Sequence, residues 1–264
     1  MSFTNSDVLR FRRVVLQYYK KHKRNLPWRR TTDLYKILVS ELMLQQTQVD
    51  RVIPYYTRFI KKFPTTHALS KAPLKDVLSA WQGLGYNRRA KFLQQAAAYI
   101  EERGIPEDLT LLPGVGRYTA GALAAFSYNK DAIVIETNIR TAVMHHFFPK
   151  RKKVADTEIE KILKKALPKG NARVFYSALM DYGAHLKRSG VRTNHKQKGY
   201  KPQSAFKGSL REVRGRVLKS LHEGRKTEKA LYVLFPKRRE QVETALNELL
   251  KEKLIQKRGS MYFL

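Results

Sequence analysis

The sequence predicts a mainly α-helical protein with a small α+β module at its C-terminal end. Three observations lead there. Apolar residues recur at helical spacing in one segment after another between residues 7 and 186. A short turn with two glycines, Leu112-Pro113-Gly114-Val115-Gly116, separates two of those segments. Residues 208–264 then read as three helices followed by a terminal hairpin, the element order of a winged helix.

Each element has its own signal. The first helix is expected over Asp7–Lys21, capped by Ser6 or Asp7, with Val8, Phe11, Val14, Val15 and Tyr18 at helical spacing. A basic loop from Lys20 to Arg30 follows, and Trp28 within it reads as the anchor that packs this arm onto the body. The next helix lies within Thr31–Thr47. Tyr35, Leu38, Val39, Leu42 and Met43 form its apolar stripe, while Glu41 shares a second surface with Ile37 and Leu44. Three further helices are predicted over Val49–Phe63, Leu69–Ala80 and Arg88–Arg103, the second with Pro73 in its first turn. Strong helix formers from Arg117 through Ala125 place a helix directly after the glycine turn. A β-branched run, Ile133 to Ile135, ends at Glu136 and leads into a new helix, and Asp156–Leu167 and Asn171–Leu186 complete the body. In the tail, Leu210, Val213, Val217, Leu218 and Leu221 mark one helix, with two more at Lys226–Phe235 and Arg239–Lys251. Leu254–Leu264 reads as a hairpin turning at Arg258-Gly259.

The charge balance narrows the partner. Lys and Arg number 53 against 22 Asp and Glu, a formal charge of +31 on 264 residues, which exceeds what solubility needs and implies a polyanion. There are no cysteines, which excludes disulfides, cysteine-ligated zinc and cysteine-ligated iron–sulfur clusters and fits a reducing compartment. No apolar run reaches the roughly 18 residues of a membrane span, and residues 1–7 lack the basic-then-apolar order of a signal peptide. The expectation is a soluble cytoplasmic protein, nucleoid-associated if prokaryotic, with no membrane contact.

Four places carry chemistry, each with a plainer alternative. The glycine turn can bring backbone amides to a helix N-terminus, which suits a phosphate, or it can be an ordinary connection between helices. Glu41 lies between apolar surfaces, where burial raises a carboxyl pKa from about 4.3 and keeps a usable general acid. Alternatively, Arg88 or Arg89 neutralises it. In Trp81-Gln82-Gly83-Leu84-Gly85-Tyr86-Asn87-Arg88-Arg89, Leu84 or Tyr86 can wedge a base step while the arginines hold phosphates. The same glycines also suit a helix C-cap over a buried Leu and Tyr. Glu136 with Asn138 is either a second functional carboxylate or a helix cap.

These residues together resemble the helix-hairpin-helix DNA glycosylases, and within them the MutY-type adenine DNA glycosylases. The resemblance rests on Glu41-Leu42-Met43-Leu44-Gln45-Gln46-Thr47-Gln48-Val49, on Leu112–Gly116 and on a carboxylate 20 residues after Gly116, and it runs from about residue 7 to 186. It implies a two-lobed helical glycosylase domain over residues 1–194. One six-helix lobe would span about 30–132 and a second would combine 1–29 with 133–194, followed by a basic linker at 195–207 and a winged-helix-like DNA-binding module at 208–264. It also implies roles. Glu41 protonates the departing adenine at N7 and positions water. Glu136 stabilises the sugar cation, Asn138 is its polar partner, and Tyr118 supports the carboxylates at the position where bifunctional relatives carry a Schiff-base lysine. Gln45, Gln46, Thr47, Gln48, Leu84, Tyr86, Arg88 and Arg89 penetrate, brace or hold the duplex. Pro113, Gly114, Val115, Gly116 and Arg117 clamp phosphate.

The chain departs from the family in three ways. Glu136 stands where the family has aspartate. The segment Met180–Leu186, where a cysteine cluster normally begins, continues into basic residues, so the expectation is no iron–sulfur cluster and no other cofactor, with Lys187, Arg188, Arg192 and Lys196 contacting phosphate instead. The tail is too short for the domain that recognises 8-oxoguanine in better-known members. The resulting expectation is a monomeric, monofunctional N-glycosylase acting on double-stranded DNA that carries a mispaired or damaged base, most simply adenine opposite guanine or 8-oxoguanine. Two alternatives remain: release of thymine or uracil opposite guanine, and a non-catalytic DNA-binding protein on the same scaffold. The tail module is expected to act through phosphates rather than by reading the opposite base.

Overall fold

A computed structural model describes residues 3–200 and 204–264. The chain forms two compact units, one built from residues 1–38, 108–110 and 115–202, the other from 39–107, 111–114 and 203–264.

The first unit packs five helices: α1 (Asn5–His22), α7 (Arg117–Tyr128), α8 (Thr137–Phe147), α9 (Asp156–Ala166) and α10 (Ala172–Arg188). Phe11, Val15, Ile139, Val143, Leu163, Phe175 and Leu179 lie in its core. Helix α1 begins two residues earlier than expected, because Thr4 and Asp7 form a reciprocal capping box that satisfies both ends of the first turn. The basic arm after α1 is fastened by Asp181 of α10, whose side chain is 1% exposed. Arg24 donates to it through Nε (2.6 Å) and its backbone N–H (2.9 Å), and Arg29 through both Nη atoms at 2.8 Å. Trp28 of the same arm is buried.

The stretch expected as a basic linker is partly tied down. Residues 194–196 form a 3-10 turn, the Val154 N–H donates to the Lys196 carbonyl (2.8 Å), and Lys153 Nζ donates to the His195 carbonyl at 3.0 Å. Lys196 Nζ donates to the Pro149 carbonyl (2.7 Å) and Arg192 to that of Lys187 (2.7 Å). These two cations, expected on phosphates, bind their own chain.

The second unit holds α3 (Val49–Lys62), α4 (Thr66–Lys71), α5 (Leu74–Trp81) and α6 (Arg88–Arg103), and helix α2 (Leu34–Leu44) enters it at Val39. Its core includes Val52, Phe59, Leu69, Val77, Trp81 and Leu93, all fully buried. The expected Leu69–Ala80 helix is two helices. Pro73 disfavours helical backbone at Ala72, which is extended, and Gln94 Nε2 fills the gap by donating to the Ala72 carbonyl at 2.6 Å.

The C-terminal module belongs to this second unit. It runs α11 (Leu210–His222), β1 (Lys226–Thr227), α12 (Glu228–Tyr232), α13 (Arg239–Lys251), β2 (Gln256–Arg258) and β3 (Met261–Phe263), with antiparallel sheet order β1-β3-β2. The wing turns at Gly259, as expected. The helix expected from Lys226 is shortened, since Lys226 and Thr227 pair with Tyr262 and Met261. Among the contacts that dock the module on the helices of the unit, Ser79 Oγ meets His222 Nε2 at 3.0 Å, and Lys91 Nζ donates to the Glu252 carbonyl at 2.6 Å. Among the described residues, no helix is long and apolar enough to cross a membrane.

Candidate active site

Helix α2 carries the first carboxylate. Glu41 is 5% exposed and lies on a helix buried on several sides, with Ile37, Leu38, Val39, Leu42 and Met43 nearly inaccessible. A carboxyl in such surroundings is largely shielded from water. Arg89 has a different task from the one expected. It is 7% exposed, and its guanidinium donates to the carbonyls of Leu42 (2.6 Å), Met43 (3.1 Å), Gln45 and Gly85 (2.9 Å). A helix leaves its last carbonyls unsatisfied. Arg89 therefore caps the C-terminus of α2 and fixes the Gln45–Thr47 turn, so it does not present itself to a phosphate. Burial pulls its pKa down to about 10, with Tyr86 acting in the opposite direction.

That turn opens into a cleft of about 1100 Å³ within the second unit. Gln45, Gln46, Thr47 and Gln48 line one part of it, Leu84, Tyr86 and Arg88 another, and α11 of the C-terminal module closes it with Arg211 and Lys219. Gly114 of the glycine turn also reaches it. Nearly all the expected duplex-bracing residues therefore share one concave surface. Amides, guanidinium groups and aromatic rings are the set that grips bases and phosphates. Of the two wedge candidates, Leu84 is 5% exposed and packs inside, while Tyr86 stands out at 38%, with a left-handed φ of 48°. Arg211 Nη1 donates to the Tyr86 hydroxyl at 3.2 Å. The module residues Arg211 and Lys219 escaped the sequence reading because only the docking of α11 brings them beside the turn.

The glycine turn has the predicted form. Gly114 takes φ +78°, and a Cβ there would come within 2.7 Å of Phe92, so both conformation and space call for glycine. Gly116 is the N-cap of α7, and Arg117 begins the helix, exposed. A helix N-terminus of this kind directs backbone N–H groups and a partial positive charge along its axis, which suits an anion. Pro113 is partly exposed and Val115 is buried. Tyr118, one residue on, packs half-buried against the core of the first unit.

The second carboxylate is a helix cap as well. Glu136 is the N-cap of α8. Its Oε1 accepts from the backbone N–H of Asn138 (2.8 Å) and Ile139 (3.0 Å), and its Oε2 accepts from Asn138 Nδ2 at 3.2 Å. The cap geometry is present, and it leaves the carboxylate partly exposed and held at both oxygens. Among the described residues, no group of three or more His, Cys, Asp or Glu could hold a metal ion.

Known proteins resemble this helical body and its sequence. Residues 39–169 match the model of the HhH-GPD superfamily base excision DNA repair protein. The adenine DNA glycosylase of Mycobacterium tuberculosis is 34% identical over 230 residues, covering 77% of this chain and 76% of that protein. The chain belongs to the HhH-GPD superfamily of base excision DNA repair proteins. The rat adenine DNA glycosylase is 45% identical over 149 residues, 51% of this chain but only 29% of that protein. The chain spans about half the length of several bacterial adenine DNA glycosylases it matches. Among solved structures, a thermostable thymine-DNA glycosylase shares the fold, with a TM-score of 0.60 at 24% identity over 68% of this chain and 87% of that one. With no cysteine in the chain, the iron–sulfur cluster is absent.

Proposed function

We propose that this protein is a monofunctional DNA N-glycosylase that releases adenine mispaired with guanine or 8-oxoguanine. The observation that carries the reading is Glu41, a carboxyl buried in an apolar helix one short turn from the duplex-bracing cleft. Adenine is a poor leaving group until N7 is protonated, and a shielded carboxylic acid is the group to do it, at a contribution of order 10² to 10⁴ in rate. As the C1′–N9 bond breaks, the sugar becomes cationic, and the anchored Glu136 carboxylate supplies the opposing charge. Tyr86 and the glutamines of the Gln45–Gln48 turn offset the few kcal/mol of unstacking, which is smallest at a mispair. The sequence similarity to adenine DNA glycosylases points to adenine as the base.

Tyr118 offers no amine, so no Schiff base forms at that position and the strand is left with an intact abasic site. The test is a panel of duplexes with single mispairs, incubated with the protein and then cleaved at abasic sites by alkali. Breaks confined to adenine-containing mispairs are expected. Breaks at thymine or uracil opposite guanine would overturn the assignment of the base, and no breaks at any mispair would leave a binding protein.

A further inference from the structure

The helix α10 reaches the second carboxylate through a residue with no assigned role. Asn138 uses its amide nitrogen on Glu136 Oε2, which leaves its Oδ1 turned away, and there it accepts from Lys187 Nζ at 2.9 Å. The two bonds fix the amide, since only this orientation gives the carboxylate a donor and the ammonium an acceptor. The close approach has a visible cause. Gly183 lies one turn before Lys187 on the same face of α10, and a Cβ there would overlap the Asn138 carbonyl oxygen. Lys187 itself is half-buried, which lowers its pKa from the ordinary lysine value; Glu136 opposes the shift and Arg140 adds to it. Burying an ammonium costs free energy unless it is paired. Here the cost is met by a single amide oxygen beside a carboxylate.

We propose that Lys187 is a positioning residue for base release, acting through Asn138 to hold the Glu136 carboxylate in register with the substrate sugar. The inference rests on the role given to Glu136 above. A glutamate has one more rotatable bond than the aspartate of related glycosylases, and that freedom must be removed for the carboxylate to meet a developing charge at a fixed place. Two backbone N–H groups fix Oε1, Asn138 fixes Oε2, and Lys187 fixes Asn138. Without the ammonium the amide is free to turn its oxygen toward the carboxylate, and Oε2 loses its donor. The position is also where the chain turns basic instead of entering a cysteine cluster, so the end of α10 is tied to the site by a side chain.

The test is a double-mutant cycle in single-turnover base release, with Lys187→Met, Glu136→Gln and the pair, alongside Lys187→Arg, mispair affinity and melting temperature. Misplacing a reacting group by about 1 Å can cost on the order of 100-fold. Lys187→Met is therefore expected to slow release about 10- to 100-fold at saturating protein, with mispair affinity nearly unchanged. Lys187→Arg should recover most of the rate, and in the Glu136→Gln background Lys187→Met should cost little more. Slowing by the same factor in both backgrounds, or a loss explained by melting, would overturn the proposal while leaving Glu136 in its role. Wild-type release by Glu136→Gln alone would remove that role and the proposal with it.

Discussion

Replacing Asp181 by asparagine should destabilise the first unit more than most single changes. The carboxylate is 1% exposed and accepts four hydrogen bonds from Arg24 and Arg29, whose side chains are 25% and 14% exposed. Asparagine keeps the shape but leaves two guanidinium groups beside a neutral amide, one of whose atoms is a donor. Breaking a buried pair from one side costs about 3–5 kcal/mol. Both arginines keep some access to water, which favours the lower end, about 3 kcal/mol. At roughly 2–4 °C per kcal/mol for a chain of this size, the melting temperature should fall by about 6–12 °C. The pH dependence provides an internal check. Burial alone would raise the Asp181 pKa, but hydrogen bonds and charge from Arg29 and then Arg24 outweigh it and hold it below the ordinary value. A carboxylate with a depressed folded pKa contributes its stability above the unfolded value of about 3.9 and loses it as pH falls through the folded one. The gap between wild type and variant should therefore begin to narrow below about pH 4 and go on narrowing as pH falls toward the folded pKa. Calorimetric melts between pH 3 and 7 measure both effects. A fall of less than about 2 °C at pH 7, or a gap unchanged at pH 3, would refute the account of the arm.

Two further outcomes follow from the site. Borohydride added during turnover should trap little covalent complex with the unaltered protein, because Tyr118 has no amine, whereas Tyr118→Lys should gain trapping; efficient trapping by wild type would end the monofunctional assignment. If Arg211 and Lys219 hold phosphates, changing both to alanine should lower the slope of log affinity against log salt by about 1.8 and weaken matched and mispaired duplexes alike. An unchanged slope would remove α11 from the DNA path.

Much of this molecule can be read from local pattern. The apolar surfaces of α2, the glycine turn into α7 and the wing at Arg258-Gly259 are set by residues close in sequence, and each is found where spacing and turn chemistry place it. What escapes the sequence depends on distant partners. Strand β1 is two residues long and exists because Tyr262 and Met261 lie beside it. Arg89 has the composition of a phosphate contact but is drawn inward by carbonyls at the end of α2, 44 to 47 positions earlier in the chain. Leu84 and Tyr86 are equivalent wedges on paper, and only packing separates the buried one from the exposed one. Lys187 reads as one more basic residue near the end of α10 until Gly183 lets that helix close on Asn138.

The central claim is that Glu41 is the acid that makes adenine leave. The most direct test is single-turnover release of adenine from a duplex with adenine opposite 8-oxoguanine or guanine, comparing wild type with Glu41→Gln, with affinity for the same duplex measured in parallel. Glutamine fills nearly the same space at this buried position but has no acidic proton to give. The expected result is a loss of at least about 10²-fold in release with mispair binding retained. Release at a near wild-type rate would show that Glu41 is structural and would contradict the account.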